Sequence, residues 1–127
     1  MRPTLKEKEW WDTIRQTVTR SNVRTEYNFG GAFVWSHLHE AAYLGYTLCV
    51  RWLIVTRGAD VNQKCTVTHR SPLHIAAFEG HTKTIETLLD YKADIEAIDF
   101  NGATPLFLAK ERSQVNVVNT LLRRGAQ

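Results

Sequence analysis

The apolar positions of residues 71–80, SPLHIAAFEG, are typical of a short helix with a polar start and a glycine stop. Ser71 can cap the helix, and Pro72 suits its first position because the missing N–H would have had no intrahelical partner there. Gly80 can adopt the left-handed conformation that ends a helix. The segment therefore predicts one short helix. Its apolar surface, which includes two adjacent alanines, needs a neighbour to cover it.

A second apolar helix is predicted after the first, at about residues 82–91, and similar patterns occur at about 47–56 and near the end of the chain. The last of these contains Val115, Val118, Leu121 and Leu122. Gly58 and Gly125 can end two of these helices, but Lys92 stands at the corresponding place in the central one. We expect Lys92 to be left-handed, at a cost of roughly 1–2 kcal/mol.

The N-terminal region has a different pattern. Thr4 and Glu7 have the spacing of a capping box, and Trp11, Ile14 and Val18 would share one face of the following helix. We therefore expect residues 1–21 to form a capping helix that covers the end of the structure formed by residues 22–127. Residues 22–36 alternate between polar and apolar side chains around a glycine pair, which predicts a two-stranded finger.

The helix signal recurs along the chain. TPLFLA begins at Thr104, which is 33 residues after Ser71, and LHEAAYLG at Leu38 matches LHIAAFEG at Leu73 with a spacing of 35. A period of 33 residues with the motif T-P-L-H-x-A resembles the ankyrin-repeat family. The resemblance covers about residues 32–127, with repeats at about 32–65, 66–98 and 99–127. It implies an all-α solenoid of helix-turn-helix units joined by short β-hairpin fingers.

The third copy departs from the motif at three positions. Phe107 replaces the motif histidine, and Lys110 and Ser113 replace the second alanine and the glycine. We expect a distorted helix pair in this repeat, because alanine permits close helix packing and glycine the left-handed turn.

Composition and charge narrow the possible functions. The chain has 127 residues, of which 43% are hydrophobic and 23% charged, as in globular proteins. Its formal charge is +3, but the basic residues are interleaved with acidic ones, so we expect no nucleic-acid partner. No apolar run reaches the roughly 18 residues of a membrane span, and the first residues are too charged for a signal peptide. We expect an intracellular protein, cytoplasmic or nuclear, with Cys49 and Cys65 as free thiols.

No motif in the sequence indicates an enzyme. The five histidines include His39 and His74 at the motif position, which in ankyrin repeats forms hydrogen bonds between helix and finger. His81 follows the motif glycine, and His37 and His69 could face solvent. Nucleophile, phosphate-loop and zinc-ligand patterns are all missing from the sequence, so we expect neither catalytic residues nor a metal or cofactor.

The resemblance does imply a binding surface. In the family, the fingers and first helices line a concave face that contacts protein partners. The corresponding positions here are Phe33, Trp35, Tyr43, Leu44, Thr68, Arg70, Phe78, Glu79, Phe100, Asn101, Ala103, Glu111 and Arg112. Aromatic residues and arginine dominate the energetics of many interfaces. The alternative is that the long first loop folds back over Trp35 and Tyr43 as part of the cap.

Two functions therefore remain open. The chain could be a protein-interaction module, monomeric by itself, that binds a protein of unknown identity through its concave face. Alternatively, it could be a structural or inhibitory cap that masks a neighbouring domain of a longer polypeptide. The sequence does not identify the partner.

Overall fold

The computed structural model describes residues 36–65 and 68–127. The predicted capping helix at residues 1–21 and most of the predicted first finger lie outside the described residues. In the described part, helices α1 to α6 are His37–Leu44, Thr47–Arg57, Pro72–Glu79, Thr82–Asp90, Pro105–Glu111 and Val115–Arg123. The predicted all-α repeat architecture is confirmed.

The first helix of each pair begins with a side-chain cap. The Ser71 hydroxyl accepts a hydrogen bond from the His74 backbone N–H, the His74 ring bonds back to the Ser71 backbone, and Pro72 occupies the first turn. Ser36 and His39 make the same reciprocal pair in α1. Thr104 caps α5 in the same way, but Phe107 cannot return the bond. These local bonds satisfy N–H groups that would otherwise have no partner at a helix start.

The turn between the two helices of each pair is the same in all three repeats. The N–H of Tyr46, His81 and Gln114 donates to the carbonyl oxygen of Ala41, Ala76 and Ala109, respectively, at 2.9–3.0 Å. Gly45 and Gly80 take positive φ before this bond, and so does Ser113, with φ 55°. The expected distortion of the third helix pair was therefore wrong. α5 is only one residue shorter than α3, and Ser113 adopts the glycine conformation because the rest of the turn is intact.

The second helices of the first two repeats end within one residue of the predicted positions. Gly58 is left-handed after α2, and Lys92 takes the same conformation after α4 with φ 73°, as predicted. The Asn62 side chain stabilises this turn. It donates to the Lys92 carbonyl oxygen at 3.4 Å and accepts from the Asp94 N–H at 2.7 Å. The preceding finger thus helps to hold Lys92 in a conformation that a lysine rarely adopts.

The helices pack in two layers, with α1, α3 and α5 in the front layer and α2, α4 and α6 in the back layer. Equivalent leucines fill the core in successive repeats, namely Leu38, Leu73 and Leu106 in front and Leu53, Leu88 and Leu121 behind. Each is at most 6% exposed, so burial of each side chain contributes about 1.5–3 kcal/mol. Ala76 and Ala77 are fully buried, which lets the front helices approach closely.

The described fingers are tight turns where the sequence predicted short β-hairpins, and no strand occurs in residues 36–65 and 68–127. Asp60, Asp94 and Asp99 each accept a hydrogen bond at 2.9–3.0 Å from the backbone N–H two residues later. This bond closes the turn and replaces a strand pairing. None of the described helices is both long and apolar enough to cross a bilayer.

Candidate functional site

The predicted binding residues lie at two places that repeat along the stack. Tyr43, Leu44, Phe78, Glu79 and Glu111 lie in the last turns of the front helices, and Arg112 is the residue after α5. Thr68, Arg70, Phe100, Asn101 and Ala103 lie in the fingers. Phe33 and Trp35 lie outside the described residues. We call the ends of the front helices together with the fingers the concave face.

The motif histidines hold the front helices to the following fingers. His74 is fully buried, and its Nε2–H donates to the Ala103 carbonyl oxygen at 2.8 Å. His39 makes the equivalent bond to the Arg70 carbonyl oxygen at 3.0 Å. The other ring nitrogen of each histidine contacts the capping serine, so both nitrogens are used. The predicted structural role of these histidines is confirmed.

Burial keeps these histidines neutral. It lowers the pKa of His39 from 6.5 to about 4, although the hydrogen bond to the Arg70 carbonyl opposes the shift. Burial also lowers the pKa of His74, against the hydrogen bond to Ala103 and the nearby Asp99 carboxylate. A charged imidazole would lose its hydration in this position.

An aromatic ring with two arginines forms the centre of the concave face. The guanidinium carbon of Arg112 lies 4.5 Å from the centre of the Phe78 ring, and that of Arg70 lies 5.4 Å from it. Both distances are within the range of a cation–π interaction. Three segments of the chain therefore meet at Phe78, namely the end of α3, the finger before it and the end of α5.

Asp99 positions Arg70 in this cluster. The Arg70 Nε–H donates to Asp99 Oδ2 at 3.3 Å, while Asp99 Oδ1 accepts from the N–H groups of Asn101 and Ala103 at 2.9 Å each. Burial alone would raise the pKa of Asp99, but these backbone and arginine hydrogen bonds outweigh it and lower the pKa from 3.8. The carboxylate is therefore charged at neutral pH. It fixes both the third finger and the arginine.

The fingers meet at an aromatic pair. The His69 and Phe100 rings stack with centres 3.9 Å apart and planes 16° apart, and the Phe100 N–H donates to the Thr68 carbonyl oxygen at 3.0 Å. Phe100 is 62% exposed despite this contact. The pair joins the second and third fingers and leaves apolar area open to solvent.

The first repeat contributes an exposed aromatic residue. Tyr43 is 47% exposed and Leu44 is 37% exposed. The Tyr43 carbonyl oxygen accepts a hydrogen bond from His81 Nε2 at 2.9 Å, which links α1 to the second repeat. The Gln114 side chain bonds the Phe78 carbonyl oxygen in the same way at 3.2 Å. The backbone at Tyr43 and Phe78 is therefore fixed while the Tyr43 side chain remains accessible.

Within the described front helices and fingers, two apolar residues outside the predicted set are also exposed. Ile98, in the third finger, is 52% exposed, and Phe107, at the motif-histidine position of the third repeat, is 51% exposed. Ile98 could have been found from its alternation with Phe100, because residues two apart lie on the same side of extended backbone. The stacking of His69 on Phe100 could not have been found from the sequence, since it depends on the positive φ of 57° at His69.

Other reactive groups in the described residues are buried or dispersed. No group of three or more histidine, cysteine or acidic side chains there could hold a metal ion. Cys49 and Cys65 are free and buried, and burial raises the pKa of the Cys49 thiol to about 12, which makes it a poor nucleophile. The described concave face thus offers aromatic, guanidinium and backbone groups for recognition.

Three known proteins are similar to part of this chain. The chain is 39% identical to the human ASB11 ankyrin repeat domain, of known crystal structure, with a TM-score of 0.67 over 73% of this chain and 41% of that one. It is 41% identical over 73 residues to the ARF GTPase-activating protein Git of Drosophila melanogaster, which is 58% of this chain and 10% of that protein. It is 35% identical over 81 residues to palmitoyltransferase ZDHHC17 of Danio rerio, which is 64% of this chain and 13% of that protein.

The family profile for ankyrin repeats matches residues 38–127 in three copies. This range contains helices α2 to α6, all of α1 except its first residue, and both histidine-to-finger bonds. Ankyrin repeats generally act as protein–protein interaction modules, and their fold is not itself catalytic. The chain belongs to the ankyrin-repeat family.

Proposed function

We propose that this chain is a non-catalytic protein-interaction module that binds a protein partner on its concave face. The observation that carries the proposal is the cluster of Arg70, Phe78 and Arg112, which joins three segments at the surface without forming part of the core. Tyr43 lies at the equivalent place one repeat earlier and is 47% exposed. Tyrosine and arginine are enriched among the residues that dominate binding energy.

The rigidity of the scaffold supports this proposal. The ends of α1 and α3 are bound through their backbone to the next repeat, by His81 at Tyr43 and by Gln114 at Phe78. The second and third fingers are each bound to the previous front helix by a buried histidine. Side chains on such a platform lose little backbone entropy when a partner binds, which favours affinity.

The relatives favour a second candidate function as well. The matched region makes up only 10% and 13% of the two curated relatives described above, whose names include a GTPase-activating protein and a palmitoyltransferase. Similar repeats therefore occur within longer proteins that have other activities. The concave face could accordingly bind another domain of the same polypeptide as a structural or inhibitory cap.

Position-resolved photo-crosslinking in cells, followed by mass spectrometry, tests the proposal. A photoreactive amino acid placed at Tyr43 probes the concave face, and the same amino acid at Val55 is the control. Val55 is 61% exposed and lies on α2 in the back layer. We expect a protein adduct from position 43 and not from position 55.

The purified adduct partner then allows a quantitative comparison. The double variant Tyr43→Ala with Phe78→Ala should bind more weakly by about 1 kcal/mol or more for each residue. The matched control is Leu48→Ala with Val55→Ala, which removes two exposed apolar residues of α2. Equal losses in the two double variants would contradict the assignment of the concave face. An adduct within the same polypeptide would favour the cap.

A further inference from the structure

The two guanidinium groups around Phe78, those of Arg70 and Arg112, differ in whether a carboxylate pairs with them. The Asp99 carboxylate is fully engaged, with one oxygen accepting from Arg70 and the other from two backbone N–H groups. Asp99 thus balances one of the two guanidinium charges around Phe78. Arg112 forms no ion pair with any described residue, and its contact is with the Phe78 ring.

The neighbouring acidic residues form no ion pair with Arg112. Glu79 follows Phe78 and Glu111 precedes Arg112, yet neither forms an ion pair with a residue of the described chain. In α6 and just after it, Arg123 pairs with Glu86 at 3.2 Å and Arg124 with Asp90 at 2.8 Å. These two arginines of the back layer therefore have internal carboxylate partners, while Arg112 on the concave face has none among the described residues.

The geometry of Arg112 also favours recognition. Stacking on Phe78 orients the planar guanidinium before any ligand arrives, so less side-chain entropy is lost on binding. A guanidinium offers N–H donors in a fixed fork that matches a carboxylate. The half-buried Phe78 ring and the exposed Tyr43 and Phe100 rings provide apolar surface on the same face.

We propose that the concave face recognises a protein segment that presents an aspartate or glutamate carboxylate to Arg112, next to an apolar side chain that packs on the aromatic surface. This inference rests on the proposed function and adds the chemical class of the partner.

A random peptide-display selection on the intact chain tests the inference. Peptides of about a dozen residues are selected, and the enriched ones are synthesised with a fluorescent label for binding titrations. We expect an excess of Asp and Glu beside an apolar residue. Exchanging that acidic residue for Asn or Gln should weaken binding about tenfold. Raising the salt concentration should weaken it further, because the pair is partly exposed.

Variants of the chain identify the arginine. Arg112→Ala should weaken binding about tenfold, and Arg112→Lys should recover only part of the loss, since lysine keeps the charge but not the planar fork. Arg123→Ala is the matched control, because it removes an exposed arginine of the back layer. Its affinity should equal that of the unmodified chain. A urea titration of each variant checks that the fold is intact.

The outcomes separate this inference from the proposed function. Peptides without an acidic preference that still need Tyr43 and Phe78 would overturn the carboxylate inference and leave the proposed function standing. Acidic peptides whose binding does not respond to Arg112→Ala would also overturn the inference. Peptides that are insensitive to Arg112→Ala and to the Tyr43/Phe78 double variant alike would contradict both.

Discussion

The two ends of helix α3 differ in what surrounds them. At its start, His74 is fully buried and both ring nitrogens are bonded within the protein. At its end, the half-buried Phe78 contacts two guanidinium groups that lie at the surface. One short helix therefore contributes buried hydrogen bonds to the fold at its first turn and places side chains at the surface at its last turn. The same division holds in α1, between His39 and Tyr43.

The third repeat shows what happens when the buried position changes. Phe107 replaces the histidine and is 51% exposed, whereas His74 is inaccessible. Lys110 likewise is exposed where Ala77 is buried. In the described chain, no finger packs over the start of α5, so this position does not have to form a hydrogen bond there. Helix α5 thus forms without the motif histidine, which in α1 and α3 both completes the cap and bonds the following finger.

The largest expected effect comes from His74→Ala. It removes the bond to Ala103, leaves that carbonyl unsatisfied, opens a cavity and breaks the reciprocal cap, so we expect a loss of about 3 kcal/mol in the free energy of unfolding. Phe107→Ala, the matched change in the third repeat, should cost less than about 1 kcal/mol because the side chain is half exposed. Urea titrations of both variants measure the difference. Similar losses would show that the position matters to the helix alone.

The second-largest expected effect is a fall in the free energy of unfolding at acidic pH. His39 has a pKa of about 4 when folded against 6.5 for the ordinary group, so protonation favours the unfolded chain. The stability from neutral His39 is present above pH 6.5 and is lost as the pH falls toward 4. From this residue alone we expect a loss of about 2 kcal/mol at pH 5.

Urea titrations between pH 7.5 and pH 5 measure this loss. Asp99 does not contribute to it, since its pKa lies below 3.8. His39→Gln does not titrate at this position and should show a smaller slope. A slope equal to that of the unmodified chain would contradict the assignment to His39.

A third effect distinguishes two left-handed glycines. Alanine at either Gly45 or Gly58 would cost about 1–2 kcal/mol for the backbone conformation. A Cβ at Gly45 would also come within 2.5 Å of the His81 ring, whereas nothing lies near a Cβ at Gly58. We therefore expect a lower melting temperature for Gly45→Ala than for Gly58→Ala, because His81 must move from the Tyr43 carbonyl. Equal melting temperatures would show that the His81 contact adds no stability.

The smallest effect on the free energy of unfolding is expected at Lys92, which lies after α4 and belongs to neither end of α3. Lys92→Gly should relieve about 1–2 kcal/mol of backbone strain and add about 0.4–1 kcal/mol of unfolded-state entropy. A net gain below about 1 kcal/mol should appear as a small rise of the urea midpoint. A clear fall would mean that the lysine side chain contributes stability that its left-handed backbone does not reveal.

The sequence predicted the helices well because their signals are local. Ser71, Pro72 and Gly80 define the start and end of α3 within ten residues, and the left-handed Lys92 followed from its alignment with Gly58. The distortion expected around Ser113 was wrong, because a complete set of neighbouring hydrogen bonds compensates for one unfavourable residue.

The candidate site was less predictable because its contacts join distant segments. Family positions placed Arg70, Phe78 and Arg112 on one face, but periodicity could not show that both guanidinium groups approach the same ring. The pairing of Arg70 with Asp99 and the stacking of His69 on Phe100 depend on how two fingers meet. Such contacts are set by tertiary packing, which a one-dimensional pattern does not contain.

We propose that the fold does not depend on the side chains at the ends of the front helices, which leaves these side chains available for binding. A urea titration of the double variant Tyr43→Ala with Phe78→Ala tests it most directly. We expect a total loss of no more than about 2 kcal/mol, mainly from the cation–π contacts of Phe78. A loss of roughly 3–5 kcal/mol for each residue, as for cavities in a core, would contradict the claim and place these side chains among those that hold the repeats together.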